Sequence, residues 1–193
     1  MMKKSGKIIF FFGCLLFAVG LGLLFMLKFQ TKRAENINTE IVQTMEMILS
    51  DYREGMKEPD YATEMPALEI QGEDFIALLE IPVYGLKLPV CNVWDKTKAV
   101  SYPCRFSGTA SQGTLVIGGY DQEGQFDFFD RILDGIEVFV TDMTGSTFSY
   151  VVDRVERSKS AKEENLIKEG SDLTLFVRDA QLLEYVMLRC VLK

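Results

Sequence analysis

The sequence predicts a mainly β domain, an all-β barrel or sandwich, carried behind one N-terminal membrane-spanning segment. Two observations point this way. From Leu68 onward, short apolar runs alternate with Gly, Pro and Asp turn signals, the pattern of many short strands. Ahead of them, Ile8 to Leu27 is a run of 20 residues without a charge, long enough to cross a hydrocarbon core of about 30 Å. The chain of 193 residues is 48% hydrophobic and 25% charged. That accommodates one domain plus an extension and excludes wholesale disorder.

The N-terminal run follows Lys3, Lys4 and Lys7. A cleaved signal peptide would have a shorter apolar stretch and a small-x-small site, and Met26-Leu27-Lys28-Phe29 offers none. An uncleaved anchor over 8–27 is therefore expected, with 1–7 ahead of it. Lys28, Lys32 and Arg33 balance the three leading lysines, so flanking charge does not orient the span. Residues 28–67 read as a helical stalk and linker. Ile37, Ile41, Met45, Ile48 and Tyr52 recur at three- and four-residue steps. Asn36 or Asn38 is the expected cap. The stripe suits packing on its own domain or on a partner helix, and its shortness favours the first. Gly55 to Pro66 has two prolines and three acidic residues and reads as linker.

Within 68–193, Phe75 to Ile81 is an apolar run ended by Pro82, and Thr114 to Ile117 is another ended by Gly118-Gly119. Ile136–Thr141 and Thr147–Val152 flank Asp142-Met143-Thr144-Gly145, a hairpin signal. Val151–Val155 extends the second of these strands, and Leu173–Val177 and Tyr185–Leu192 supply the last two. Phe126–Leu133 and Ala161–Ile167 read as helices.

The chain has no histidine, which excludes imidazole as base, nucleophile partner or metal ligand. Residues 1–33 hold six basic and no acidic residues, leaving 15 basic against 28 acidic from Ala34 onward. An acidic body repels phosphate, so nucleic acid is not an expected partner. Cys91, Cys104 and Cys190 show no CxxC spacing, and the acidic residues show no EF-hand spacing; no metal or cofactor is expected. The three cysteines suit a buried apolar role, or one disulfide in an extracellular domain. Gly118-Gly119 lacks GxGxxG or GxxxxGK and is weak as a phosphate loop. Residue types alone thus give an anchored, acidic β domain with no visible catalytic machinery.

Longer motifs add a resemblance. Leu79-Glu80-Ile81-Pro82 with Gly85 to Val90, Pro103-Cys104-Arg105-Phe106-Ser107-Gly108 and Leu115-Val116-Ile117-Gly118-Gly119-Tyr120-Asp121 occur in order. Phe126 to Leu133, Gly135, Val138, Thr141-Asp142, Gly145 and Tyr150-Val151-Val152 follow, then Leu173-Thr174-Leu175-Phe176 and Val186 to Cys190. In order and spacing these resemble the sortases, membrane-anchored cysteine transpeptidases of Gram-positive cell surfaces, in a class B-like or neighbouring branch. The resemblance covers Phe75 to Val191. It implies an eight-stranded β-barrel with short helices, an N-terminal anchor and the C-terminal domain outside the cell.

A sortase uses a Cys nucleophile, a His that moves protons and an Arg that stabilises the oxyanion. Under the resemblance the His position falls on Tyr120, the Cys position on Arg178 and the Arg position on Tyr185. A guanidinium cannot attack a carbonyl, and a phenol with an ordinary pKa of about 10 is a poor base at neutral pH. The expectation is a pseudo-sortase without catalytic residues, whose partner is a surface protein, a pilin, a sorting-signal peptide or an active sortase. The alternative is a transpeptidase or hydrolase working through unrecognised residues. Tyr120, Arg178 and Tyr185 should converge, either as a binding patch or as a plug in which Arg178 pairs with Asp121 or Asp179.

Overall fold

In the computed structural model, residues 13–22, 38–51, 64–129, 132, 134–160, 162–167, 170–179 and 183–193 are described. Two compact units result, Met1–Ile37 and Asn38–Lys193. In the first, residues 13–22 are helical and exposed. Among the described residues no helix is long and apolar enough to cross a membrane. The rest of the 8–27 run lies outside the described residues, as do Tyr52 and most of the 55–66 linker.

The second unit is built on nine strands: β1 (Leu68–Ile70), β2 (Glu73–Ile81), β3 (Leu86–Cys91), β4 (Cys104–Ser107), β5 (Leu115–Tyr120), β6 (Glu137–Asp142), β7 (Thr147–Ser158), β8 (Leu173–Asp179) and β9 (Glu184–Leu192). The order is β1-β2-β3-β4-β5-β8-β9-β7-β6, and β6 pairs back onto β2. Strands β2 to β9 thereby close an eight-stranded barrel, which leaves no free edge along most of the wall. β1 adds to the part of β2 that precedes its pairing with β6.

Strand alternation fills the interior. Leu115, Ile117, Leu173, Leu175, Val177, Val186, Leu188 and Cys190 point inward to one core with Ile76, Leu79, Val90, Val138 and Tyr150. The β6–β7 hairpin forms at the expected turn. Asp142 Oδ1 accepts from the Thr144 and Ser146 amides at 2.9 and 3.0 Å, and Gly145 supplies φ 84.

Three expected elements are corrected. β5 does not stop at Gly118 but runs to Tyr120, with both glycines inside it. Phe126–Leu133 is not a helix: its described part is a series of turns, and residues 130, 131 and 133 lie outside the description. Phe126, Phe128 and Phe129 are all buried and pack edge-on or tilted against one another at centroid distances of 5.1 to 6.0 Å. A regular helix could not turn all three rings into the core, so aromatic burial overrides the ladder. Only Glu163–Leu166 of the second expected helix is helical.

The helix at 38–51 lies against the barrel. Ile41, Met45 and Leu49 are buried. Asn38 Nδ2 donates to the Ser101 carbonyl at 3.2 Å, and Glu46 pairs with Lys87 at 2.5 Å.

Candidate functional site

Period-2 alternation predicts which side chains leave the barrel. On β5, Val116, Gly118 and Tyr120 face outward; on β8, Thr174, Phe176 and Arg178; on β9, Tyr185, Met187 and Arg189. The register then aligns them. Tyr120 pairs with Arg178 across the parallel β5–β8 seam, and Arg178 pairs with Tyr185 across the antiparallel β8–β9 seam. The three positions singled out in the sequence therefore stand in one row on the outer wall.

They line a cleft of about 120 Å³ with Trp94, Lys96, Gly119 and Phe176. Its floor is aromatic. Trp94 lies 5.4 Å from Phe176 and 6.1 Å from Phe106, and Phe176 lies 6.4 Å from Tyr185. These rings pack with Val116, Leu166 and Met187 as a small second core outside the barrel. Gly118 makes the arrangement possible, because a Cβ there would run into Phe176 and Trp94. Gly119 likewise faces Phe126 and the Gln125 amide. The close approach of the glycine pair is thus explained by side-chain packing.

The rim is held by Gln125, 1% exposed. Its Oε1 accepts from the Tyr120 amide, and its Nε2 donates to the Ala99 carbonyl at 3.1 Å. This latch ties the end of β5 to the 3-10 turn Lys98–Val100, in the same connection that carries Trp94 and Lys96.

Arg178 is exposed; the Asp179 side chain lies outside the described residues. Arg178 and Lys96 give the cleft two cationic groups, Tyr120 and Tyr185 two phenols, and Trp94 and Phe176 a stacking surface. Such a set suits a carboxylate held by guanidinium on an extended backbone. No thiol lines it. Cys91, Cys104 and Cys190 are buried in the wall, and burial pushes the Cys190 thiol up to about 12. Among the described residues no group of His, Cys, Asp or Glu could hold a metal ion.

Trp94 and Lys96 were not legible as site residues. They sit on a loop that reaches the cleft by folding back, although Trp94 is the single tryptophan of the chain.

No family model and no curated protein matches the sequence. Solved structures do. Sortase A from Corynebacterium diphtheriae is 17% identical with a TM-score of 0.56, covering 83% of this chain and 90% of that one. A Clostridium perfringens sortase D5 transpeptidase is 15% identical with a TM-score of 0.58, covering 82% and 99%. Sortase C1 from Streptococcus suis is 21% identical with a TM-score of 0.53, covering 62% and 73%. Barrel closure, strand order and these likenesses agree: the chain has the sortase fold.

Proposed function

We propose that this chain is a membrane-anchored, catalytically silent member of the sortase family, with its barrel outside the cell and its cleft used for binding. The ligand class is an extended peptide presenting a carboxylate, as a sorting signal, a surface protein or pilin, or a segment of an active sortase would. One observation carries the reading. Arg178, exposed and flanked in register by Tyr120 and Tyr185, occupies the position where the family resemblance places the nucleophile. A fixed cation there cannot form a thioacyl intermediate, yet it can grip an anion. The 20-residue uncharged run supports the anchor.

Trp94 supplies the test. As the sole tryptophan, it makes intrinsic fluorescence a direct report on the cleft. Full-length protein in detergent should show a saturable signal with extended peptides carrying Asp or Glu, and a weaker one with their Asn or Gln counterparts. Arg178→Ala should cut affinity about tenfold, the loss of one charge-assisted bond of about 1.4 kcal/mol, with the melting temperature unchanged. A variant that melts earlier and binds as before would mean that Arg178 plugs the cleft.

A further inference from the structure

β3 and β4 run parallel and meet at a single bridge, Cys91 opposite Cys104. One backbone bond marks it, from the Cys91 amide to the Pro103 carbonyl at 2.9 Å. Past it the strands part. The Asn92 carbonyl accepts from Arg105 Nε at 3.0 Å instead of from a backbone amide. This is the shortest seam in the barrel wall, and the two cysteines are its join. Both are buried, at 2% and 0% exposure. Directly paired strand residues project their Cβ atoms to the same side, and strands lie about 4.8 Å apart. That separation falls inside the Cα window of about 4.4–6.8 Å that a disulfide requires. Each thiol acts on the other, raising the Cys91 pKa and lowering that of Cys104, while Cys104 Sγ donates to the Tyr102 carbonyl at 3.4 Å. Cys190 is placed differently, in register with Val152 and Leu173, and has no cysteine beside it.

We propose that Cys91 and Cys104 form a disulfide that closes the β3–β4 seam and pins the 92–103 loop carrying Trp94 and Lys96 against the cleft. The oxidant is a small-molecule disulfide of the oxidised glutathione type. The Cys104 thiolate attacks one of its sulfurs and expels a thiolate, leaving a mixed disulfide. Cys91 then loses its proton, attacks the Cys104 sulfur and expels the second thiolate. Two protein thiols give up two electrons and two protons, and the reagent leaves as two thiols. Because both sulfurs are buried in the closed barrel, exchange takes place before closure or through opening of this one-bridge seam. The inference stands on the wall of the barrel and is independent of what the cleft binds.

The experiment uses the full-length protein in detergent, refolded either with a glutathione redox pair or with excess reductant. Thiols are counted with Ellman's reagent after denaturation, and the digest is mapped by mass spectrometry without reduction. Under oxidising refolding the count should fall from the four cysteines of the sequence to two. A peptide pair joined through Cys91 and Cys104 should appear, about 2 Da lighter than its separate parts. The oxidised protein should melt several degrees higher than the reduced one, since the cross-link restricts the unfolded chain. Trypsin should also cut more slowly after Lys96. In Cys91→Ser and Cys104→Ser the thiol count should stay at three in both conditions. Four thiols persisting in the wild type, or a cross-link through Cys14 or Cys190, would overturn the proposal.

Discussion

Arg189 occupies an outward strand position yet is 1% exposed, because the β7–β8 connection folds over it. Its guanidinium donates to Glu156 Oε2 at 3.1 Å, the Leu166 carbonyl at 2.6 Å, Thr174 Oγ1 at 3.0 Å and the Asn165 carbonyl at 2.5 Å. A buried cation is tolerable only when its donors are satisfied in this way. In doing so it fixes Leu166 over Phe176 and Met187, the underside of the cleft floor. Arg189→Ala would take the guanidinium from two carbonyls, a hydroxyl and Glu156, whose other oxygen keeps its contact from Arg154 Nε at 3.0 Å. It should cost about 3–5 kcal/mol in urea unfolding. Arg189→Met, which keeps the volume and removes the charge, should cost less, and the two variants together separate packing from pairing. An equal loss in both would mean that pairing alone matters and the retained volume contributes nothing. The sequence could not show this role. Alternation places Arg189 outward, where a strand residue is ordinarily solvated, and the cover comes from a segment more than twenty positions away.

At the scale of elements, the helix at 38–51 shows what periodicity can and cannot say. The expected stripe ran through Ile41, Met45 and Ile48; the buried face is Ile41, Val42, Met45 and Leu49, with Ile48 half-buried. The face was legible to within one position, because 3.6-residue spacing fixes it once the ends are known. What it packs on was not legible. Met45 is 0% exposed and Met47 is 67% exposed on the same helix. Met45→Ala should therefore cost about 2–4 kcal/mol, and Met47→Ala less than about 0.5 kcal/mol. A free stalk would feel neither in a melt of the barrel. The Phe126–Phe129 segment failed for the complementary reason. Its three rings are held by the core, and local pattern carries no information about which rings a barrel needs at its end.

Across the whole molecule, chain order and motif spacing made the barrel legible, and pairing register decided the site. Tyr120, Arg178 and Tyr185 lie 58 and 7 positions apart in the sequence. They meet only because β5 runs parallel to β8 and β9 returns beside it. No composition or periodicity reveals a parallel seam, so the convergence was readable through the family resemblance alone. The geometry now supports a demanding test of catalytic silence. Neighbouring strand positions lie about 4.8 Å apart. A His introduced by Tyr120→His would come within hydrogen-bond reach of the thiol introduced by Arg178→Cys, and the cation from Tyr185→Arg would stand on the other side. Both neighbours favour the thiolate, lowering the pKa of the new thiol below the ordinary value of about 8.5. The triple variant should thus be alkylated faster near neutral pH than Arg178→Cys alone, with its pH midpoint shifted downward. It should also form a thioacyl adduct with a sorting-signal peptide that the wild type and each single variant lack, since the three groups act as a unit. Trp94 fluorescence and a melt establish that each variant is folded. A folded triple variant with the alkylation profile of the single one would mean that the cleft no longer holds the geometry the chemistry needs. Turnover by the unmodified protein would show instead that it catalyses through other residues.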